Sequence, residues 1–225
     1  GEMKMTLQKL LAPLRRAVQD YDMIHTDAKV AVGVSGGKDS IALLALLNAY
    51  RRFSDKPFEL MGITIDMGFK GSDYSPVQRF CDKNGINYVI KKTDIAEILF
   101  DLRKESNPCS LCSKMRRGAL NATLKEHGFD TLALGHHSDD VIQTFLLSLF
   151  FEGRLSTFAP KSFMTQTQVT LIRPMIYIEE RNISALVKSL DLPVVFNPCP
   201  ANKHTQRESM KELTEELRKK YPDIN

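Results

Sequence analysis

No stretch of the sequence approaches the roughly 18 consecutive apolar residues that a membrane-spanning helix needs, and its N-terminus lacks the apolar core of a signal peptide. Cysteine is scarce, with four in 225 residues. That argues against a disulfide framework and leaves metal or redox chemistry for the thiols. Neither sign of charge dominates: 31 Lys and Arg face 27 Asp and Glu, a formal net charge of +4. This mild excess is compatible with a nucleic-acid partner without demanding one, and basic residues cluster only at Lys114, Arg116 and Arg117. Internal repeats and low-complexity tracts are missing. So are the two commonest phosphate-loop patterns: GxxxxGK[ST] requires glycine where Val32 stands and Ser or Thr where Asp39 stands, and no GxGxxG fits the same segment. What remains is a cytoplasmic chain without a membrane segment, whose 43% hydrophobic content suffices for one substantial core.

The chain is organised around Lys29 to Ser40, KVAVGVSGGKDS. Val30, Ala31, Val32 and Val34 form a short apolar, β-branched run and read as a buried strand. Ser35-Gly36-Gly37 supplies a turn, and from Asp39 onward Ser-Ile-Ala-Leu-Leu is a strong helix former. Adjacent glycines let the backbone approach a ligand, and the free N–H groups at the helix start favour an anion. Lys38 adds a positive charge there, so phosphate is the natural occupant.

Elsewhere strands and helices alternate. Met5 to Tyr21 is an amphipathic helix, interrupted at most locally by Pro13 and expected to pack on the sheet edge. Strands are expected at 58–67, 86–90, 131–135, 169–173 and 194–196, and helices at 75–84, 94–104, from 108, 141–151, 179–190 and 205–220. Gly1-Glu2-Met3 reads as a cloning remnant. Segment 1–27 forms an N-terminal helix, 28–200 the main domain and 201–225 a charged helical tail. The pattern predicts an α/β fold with a doubly wound, mostly parallel sheet. In such sheets ligands bind at the carboxyl ends of strands. That places Asp66 and the block Gly135-His136-His137-Ser138-Asp139-Asp140 beside the phosphate loop. Asp139 and Asp140 are candidate magnesium ligands, since Mg²⁺ prefers carboxylates and substrate phosphates. Ser138 or Asp139 also suits a helix cap. The adjacent histidines lack the i, i+4 spacing of a helical zinc pair. Residues 152–168 are expected to form a long loop in which Arg154 and Lys161 are placed to meet phosphate.

Cys81 reads as a buried structural thiol. Cys109 and Cys112 are three apart at a helix start, on one face, where the helix dipole lowers thiolate pKa. One such pair is ambiguous among redox dithiol, zinc and iron–sulfur ligand. Cys199, held between Pro198 and Pro200, belongs to a rigid loop, as a ligand or nucleophile would.

The loop Ser35 to Ser40 resembles the signature of the PP-loop ATP pyrophosphatases, which cleave ATP between the α- and β-phosphates. In order and spacing, Ser35–Ser40, Cys109–Gly118, Gly135–Asp140 and Ile172-Arg173-Pro174 together resemble the tRNA 2-thiocytidine synthetase family over roughly residues 25 to 200. The resemblance implies ATP, Mg²⁺ and a [4Fe-4S] cluster held by Cys109, Cys112 and Cys199. It implies a pyrophosphate and ATP site at Ser35, Gly36, Gly37, Lys38, Asp39, Ser40, Asp66, Gly135 and Asp140. Catalytic roles fall to Lys38, Asp39 and Cys199. Two departures stand out: the third cysteine is alone in NPCPANKH rather than in a second paired stretch, and the chain ends sooner than longer members.

The reaction so implied adenylates the C2 oxygen of a tRNA cytidine and replaces it by sulfur. The partners are tRNA, met by Lys114, Arg116 and Arg117, a sulfur donor such as a cysteine desulfurase, and a second copy of the chain in a homodimer. Two alternatives stay open from the residues. One is a PP-loop enzyme acting on another base or a small molecule. The other is a zinc-stabilised nucleotide-binding module using the same three cysteines and a histidine such as His204.

Overall fold

A computed structural model describes the backbone of residues 2–102, 108–195 and 206–221, and the side chains of 6–99, 110–195 and 207–221. Six strands, β1 (Ala28–Gly33), β2 (Phe58–Asp66), β3 (Asn87–Lys92), β4 (Thr131–Ala133), β5 (Lys161–Met164) and β6 (Val169–Ile172), form one sheet in the order β3-β2-β1-β4-β6-β5. Every neighbouring pair is parallel except β5–β6. Val32 of β1 stands opposite Gly62 of β2 on one side and Ala133 of β4 on the other. The chain reverses its winding between β1 and β4, which opens a crevice at their carboxyl ends.

Among the described residues seven α-helices flank the sheet: α1 (Glu2–Asp20), α2 (Lys38–Tyr50), α3 (Ser75–Asn84), α4 (Pro108–Glu126), α5 (Ser138–Glu152), α6 (Glu180–Ser189) and α7 (Gln206–Lys220). Alternation in β1 sends side chains to two cores. Val30, Val32 and Val34 pack with Leu43, Leu44 and Leu47 of α2, Leu14 of α1, Val77 of α3 and Ile183 of α6. Ala31 packs with Ile63, Leu132 and Leu124 of α4 on the opposite face. Helices therefore cover both faces, as the doubly wound reading requires.

The differences from the sequence reading have local causes. Helix α1 docks on α2 and α6 rather than on the sheet edge, because Leu10, Leu14 and Val18 join the core beneath those helices. Residues 161–164, expected in a loop, form β5 as the antiparallel partner of β6, with Ser162 opposite Leu171. A short antiparallel hairpin needs no crossover helix, so the strand–helix alternation gave no sign of it. The helix expected at 94–104 is present from residue 95 to 102, but from Glu97 to Leu102 it is a π-helix, with Leu99 fully buried; residues 103–104 lie outside the described residues. At 194–195 there is no strand: among the described residues Val195 bonds the backbone through N–H to Gly36 O at 2.8 Å. Phe196 lies outside the described residues. Cys81 is buried as expected, and desolvation pushes its thiol up to about 12. Among the described residues no helix is long and apolar enough to cross a membrane.

Candidate active site

The loop after β1 turns through Gly36 at φ +91°, where an L side chain is strained. A Cβ there would also stand 3.0 Å from Val195. Ser40 locks the loop: its Oγ accepts from Ser35 N–H at 3.1 Å, donates to Gly37 O at 3.2 Å and meets Ser35 Oγ at 3.2 Å. Gly37 is the N-cap of α2 and supplies no side-chain cap. The first-turn N–H groups of α2 therefore keep their capacity for an anion.

Lys38, at the start of that turn, lies between two acids. Its Nζ donates to Asp39 Oδ1 at 2.9 Å and to Glu180 Oε1 at 2.8 Å. Burial alone would lower the Lys38 pKa, but the hydrogen bonds and charges of Glu180 and Asp39 outweigh it and raise it. Lys211 of α7 reaches Glu180 Oε2 at 3.0 Å. Burial raises the Glu180 pKa, and the bonds from Lys38 and Lys211 more than reverse that, leaving it below its usual range. On the other side of Asp39, His137 Nε2 stands 3.7 Å from Asp39 Oδ2 and 3.4 Å from Asp140 Oδ2. Burial lowers the His137 pKa, yet the bond to Asp39 and the charges of Asp140 and Asp39 carry it above its ordinary value.

Gly135 lies where the loop after β4 crosses α2. A Cβ there would meet the Asp39 carbonyl carbon at 3.1 Å and Ser40 N at 3.2 Å. Its close backbone approach is what sets the polar block against the phosphate loop.

The two expected magnesium ligands both have protein donors in this structure. The Asp139 side chain is 8% exposed; Oδ2 accepts the Glu180 N–H at 2.7 Å and Oδ1 pairs with Arg218 at 2.6 Å. It caps α6 and anchors α7. Asp140 accepts His137 N–H at 3.0 Å through Oδ2 and pairs with Arg207 at 3.1 Å through Oδ1. Among the described residues no three His, Cys, Asp or Glu side chains converge as metal ligands. Asp66 caps its own turn, accepting Gly68 N–H at 3.0 Å. Arg154 pairs with Glu152, and Lys161 donates to Asp22 O at 2.6 Å, so neither of those cations turns to the phosphate loop.

A second half of the site lies on the α4 face of the sheet. A cavity of about 540 Å³ is lined by Ser35, Ile63, Leu134, Arg116, Arg117, His136 and Arg173, among others. The structure thus brings two of the three expected RNA-contacting cations beside the phosphate loop, while Lys114 does not line the cavity. Cys112, on the first turns of α4, packs with Leu111 and Met115 against Met67 and Leu99, its Sγ 3.5 Å from Met67 Sδ. The side chain of Cys109 and all of Cys199 and His204 lie outside the described residues. Glu180, Arg207 and Arg218 had no part in the sequence reading, and His137 and Arg173 stood in its motifs without a role of their own. Arg173 alone carried a signal, since it follows β6 at the carboxyl edge.

A PP-loop domain model matches residues 3–217. The chain is 36% identical over 220 residues to the tRNA-cytidine(32) 2-sulfurtransferase of Geobacter metallireducens, covering 96% of this chain and 86% of that protein. It is 39% identical over 212 residues to the same-named protein of Geotalea daltonii, covering 93% and 84%. Among solved structures it is similar to the U34-tRNA thiolase NcsA from Methanococcus maripaludis with its [4Fe-4S] cluster. That match has TM-score 0.79 and 29% identity, over 98% of this chain and 75% of that one. The NH3-dependent NAD synthetase of Campylobacter jejuni shares the fold, with TM-score 0.53 and 16% identity over 99% of this chain and 88% of that one.

Proposed function

The chain belongs to the PP-loop family, with the tRNA-cytidine(32) 2-sulfurtransferases, and from that premise we propose that it is an ATP-dependent tRNA sulfurtransferase thiolating C2 of cytidine 32. The observation that carries this reading is that the phosphate loop and the stretch of α4 immediately after its cysteines border one cavity. Ser35 and Ser113, next to Cys112, both line it.

In the first step the cytidine C2 oxygen attacks the α-phosphorus of ATP. The bond to the β-phosphate oxygen breaks, and pyrophosphate leaves into the loop Ser35 to Ser40. The uncapped N–H groups of α2 and the Lys38 ammonium offset the charge gathering on it. ATP frees Lys38 from Glu180 by offering a stronger anion, and Lys211 still pairs Glu180. Asp39 and, once Arg207 moves aside, Asp140 are the acids that would stand beside a magnesium ion bound with the ATP phosphates, where the ion would offset phosphate charge. In the second step sulfide attacks C2, the C2–O bond breaks, and AMP leaves carrying the original oxygen. Sulfur arriving as a persulfide needs a two-electron reductant to become that nucleophile.

The residues of α4 suit a [4Fe-4S] cluster. Cys112 is half-buried among Met67, Leu99 and Met115, an apolar shell that would limit solvent access to the iron. Cys109, Cys112 and Cys199 would hold the cluster, which would supply the chemistry that delivers sulfur to the activated base. Arg116 and Arg117 hold the tRNA backbone beside the cavity, with Lys114 on the outer face of α4. A cytoplasmic location and a cysteine-desulfurase sulfur donor belong to the same reading. So does a homodimer, supported by the exposed apolar side chains Phe150 and Phe151 (each 58% exposed) and Leu155 (78%) at and just beyond the end of α5.

The test uses protein purified without oxygen. Iron and acid-labile sulfide in equal amounts, AMP release that depends on tRNA, and 2-thiocytidine in the digested product are expected. Zinc in place of iron, or ATP turnover indifferent to tRNA, overturns the reading.

A further inference from the structure

The first histidine of the block, His136, is held by contacts that serve neither the helix cap nor the acid cluster. Arg173 is 9% exposed, and its guanidinium donates from Nη1 to Ala159 O at 2.6 Å and from Nε to His136 Nδ1 at 3.2 Å. Guanidinium has only donors, so Nδ1 must be the accepting nitrogen. His136 is therefore the neutral tautomer with its proton on Nε2. The Phe158 ring closes this pair from one side, 4.8 Å from the imidazole centroid and 4.8 Å from the Arg173 guanidinium carbon. Burial first, and then the Arg173 charge, push the His136 pKa below its ordinary value, which keeps the ring neutral at physiological pH. Among the described residues the Nε2–H has no hydrogen-bond partner, although His136 is part of the cavity wall.

Arg173 thus spends its rigid Nε–H on fixing one tautomer of a ring that faces the cavity. That arrangement makes sense for a ligand atom that accepts a hydrogen bond. Ser35 and Arg116 line the same cavity. A nucleotide whose β- and γ-phosphates occupy the phosphate loop has its α-phosphoryl group one anhydride linkage further along, and Ser35 of that loop and His136 line the same cavity.

Resting on the function proposed above, we infer that His136, oriented by Arg173, donates its Nε2–H to a nonbridging oxygen of the α-phosphoryl group of ATP and of the AMP ester formed from it. His136 is then a catalytic residue and Arg173 a positioning one. A neutral donor strengthens as charge develops on the oxygens during both phosphoryl transfer and departure of AMP. It also brings no proton that the nucleophilic base could capture.

The test is tRNA-dependent AMP formation by wild-type protein, His136→Gln, His136→Phe and Arg173→Lys, with ATP and with the two diastereomers of ATP bearing sulfur on the α-phosphorus. Losing a preorganised donor to a developing charge lowers kcat about 100-fold. We expect that fall for His136→Phe with little change in the KM for ATP, and partial rescue in His136→Gln, whose amide N–H can still donate. The preference of wild-type protein for one α-thio diastereomer should shrink in both variants, and Arg173→Lys should fall between them and wild type. The imidazole ¹⁵N shifts of the wild type should report an Nε2–H tautomer, and a ring that remains neutral in Arg173→Lys while exchanging between tautomers. An α-thio preference unchanged in His136→Phe, with wild-type turnover intact, overturns the inference. A wild-type protein without tRNA-dependent turnover instead overturns the function on which it rests, and the ¹⁵N tautomer still reads the Arg173 contact.

Discussion

Replacing Gly135 by alanine separates a packing role from a ligand-contact role at the crossing of the two loops. The added Cβ would stand 3.1 Å from the Asp39 carbonyl carbon, 3.2 Å from Ser40 N and 3.3 Å from Asp39 O. All three are backbone atoms of the first turn of α2, so no side chain can swing away. Relief requires that turn, or the connection from β4 to α5, to shift by a few tenths of an ångström. Forcing one extra carbon into a packed interior costs about 1–3 kcal/mol. For a protein of this size that corresponds to a fall in Tm of about 2–12 °C. The same displacement moves the N–H groups proposed to receive pyrophosphate, so on that reading tRNA-dependent AMP formation should fall with stability. Gly118→Ala is the control. It lies inside α4 with nothing within 4 Å of its would-be Cβ, and alanine there should stabilise by up to about 1 kcal/mol through helix propensity. Thermal and denaturant unfolding followed by circular dichroism reads both. A Gly135→Ala protein that melts with the wild type would refute the packing argument and leave Gly135 only a neighbour of the ligand.

Three other outcomes follow from the same geometry. Asp139→Asn should cost about 3 kcal/mol at neutral pH, because it leaves Arg218 and the α6 terminus facing a neutral amide. Burial raises the Asp139 pKa, but the Glu180 N–H and Arg218 take it below 3.8. The carboxylate's contribution is therefore whole above 3.8 and is lost as pH falls through the lower folded value, so the wild-type advantage in urea titrations should close only in that acid range. Lys38→Ala should reduce AMP formation about 10³-fold while the fold survives, since Lys211 still pairs with Glu180; near-normal turnover would remove Lys38 from the chemistry. Arg116→Ala and Arg117→Ala should each weaken tRNA binding and reduce the slope of log K against log salt by about one, and a slope unchanged in both would take them off the RNA backbone.

The parts of the site legible in the sequence are those built from contiguous residues. Ser35 to Ser40 encodes strand, turn and helix start within one short span, because glycine and serine conformations and helix capping are local properties. The same holds for the Pro108 helix start with its paired cysteines, and for the alternation of strands and helices that forces a parallel sheet. Charge pairs were not legible. Lys38 and Glu180 are 142 residues apart, and Asp139 and Arg218 are 79 apart; only the order β2-β1-β4-β6 brings those carboxyl edges together. The cap of α5 expected at Ser138 or Asp139 falls to His137, while Asp139 accepts the Glu180 N–H of α6 and pairs with Arg218 of α7, contacts that its sequence neighbours could not announce. Arg173 and His136 were visible as motif letters, but their relation depends on β4 and β6 being adjacent in register, with Ala133 beside Ile172. By itself the sequence determined which segments fold locally, the phosphate-binding loop and the chemical family. Tertiary structure decided which acids pair with the arginines of the C-terminal helix, which with Lys38, and which nitrogen of His136 accepts from Arg173. The physical reason is that backbone conformation and capping depend on residues a few positions apart, whereas charge pairing and tautomer choice depend on distances across strands that only the assembled sheet sets.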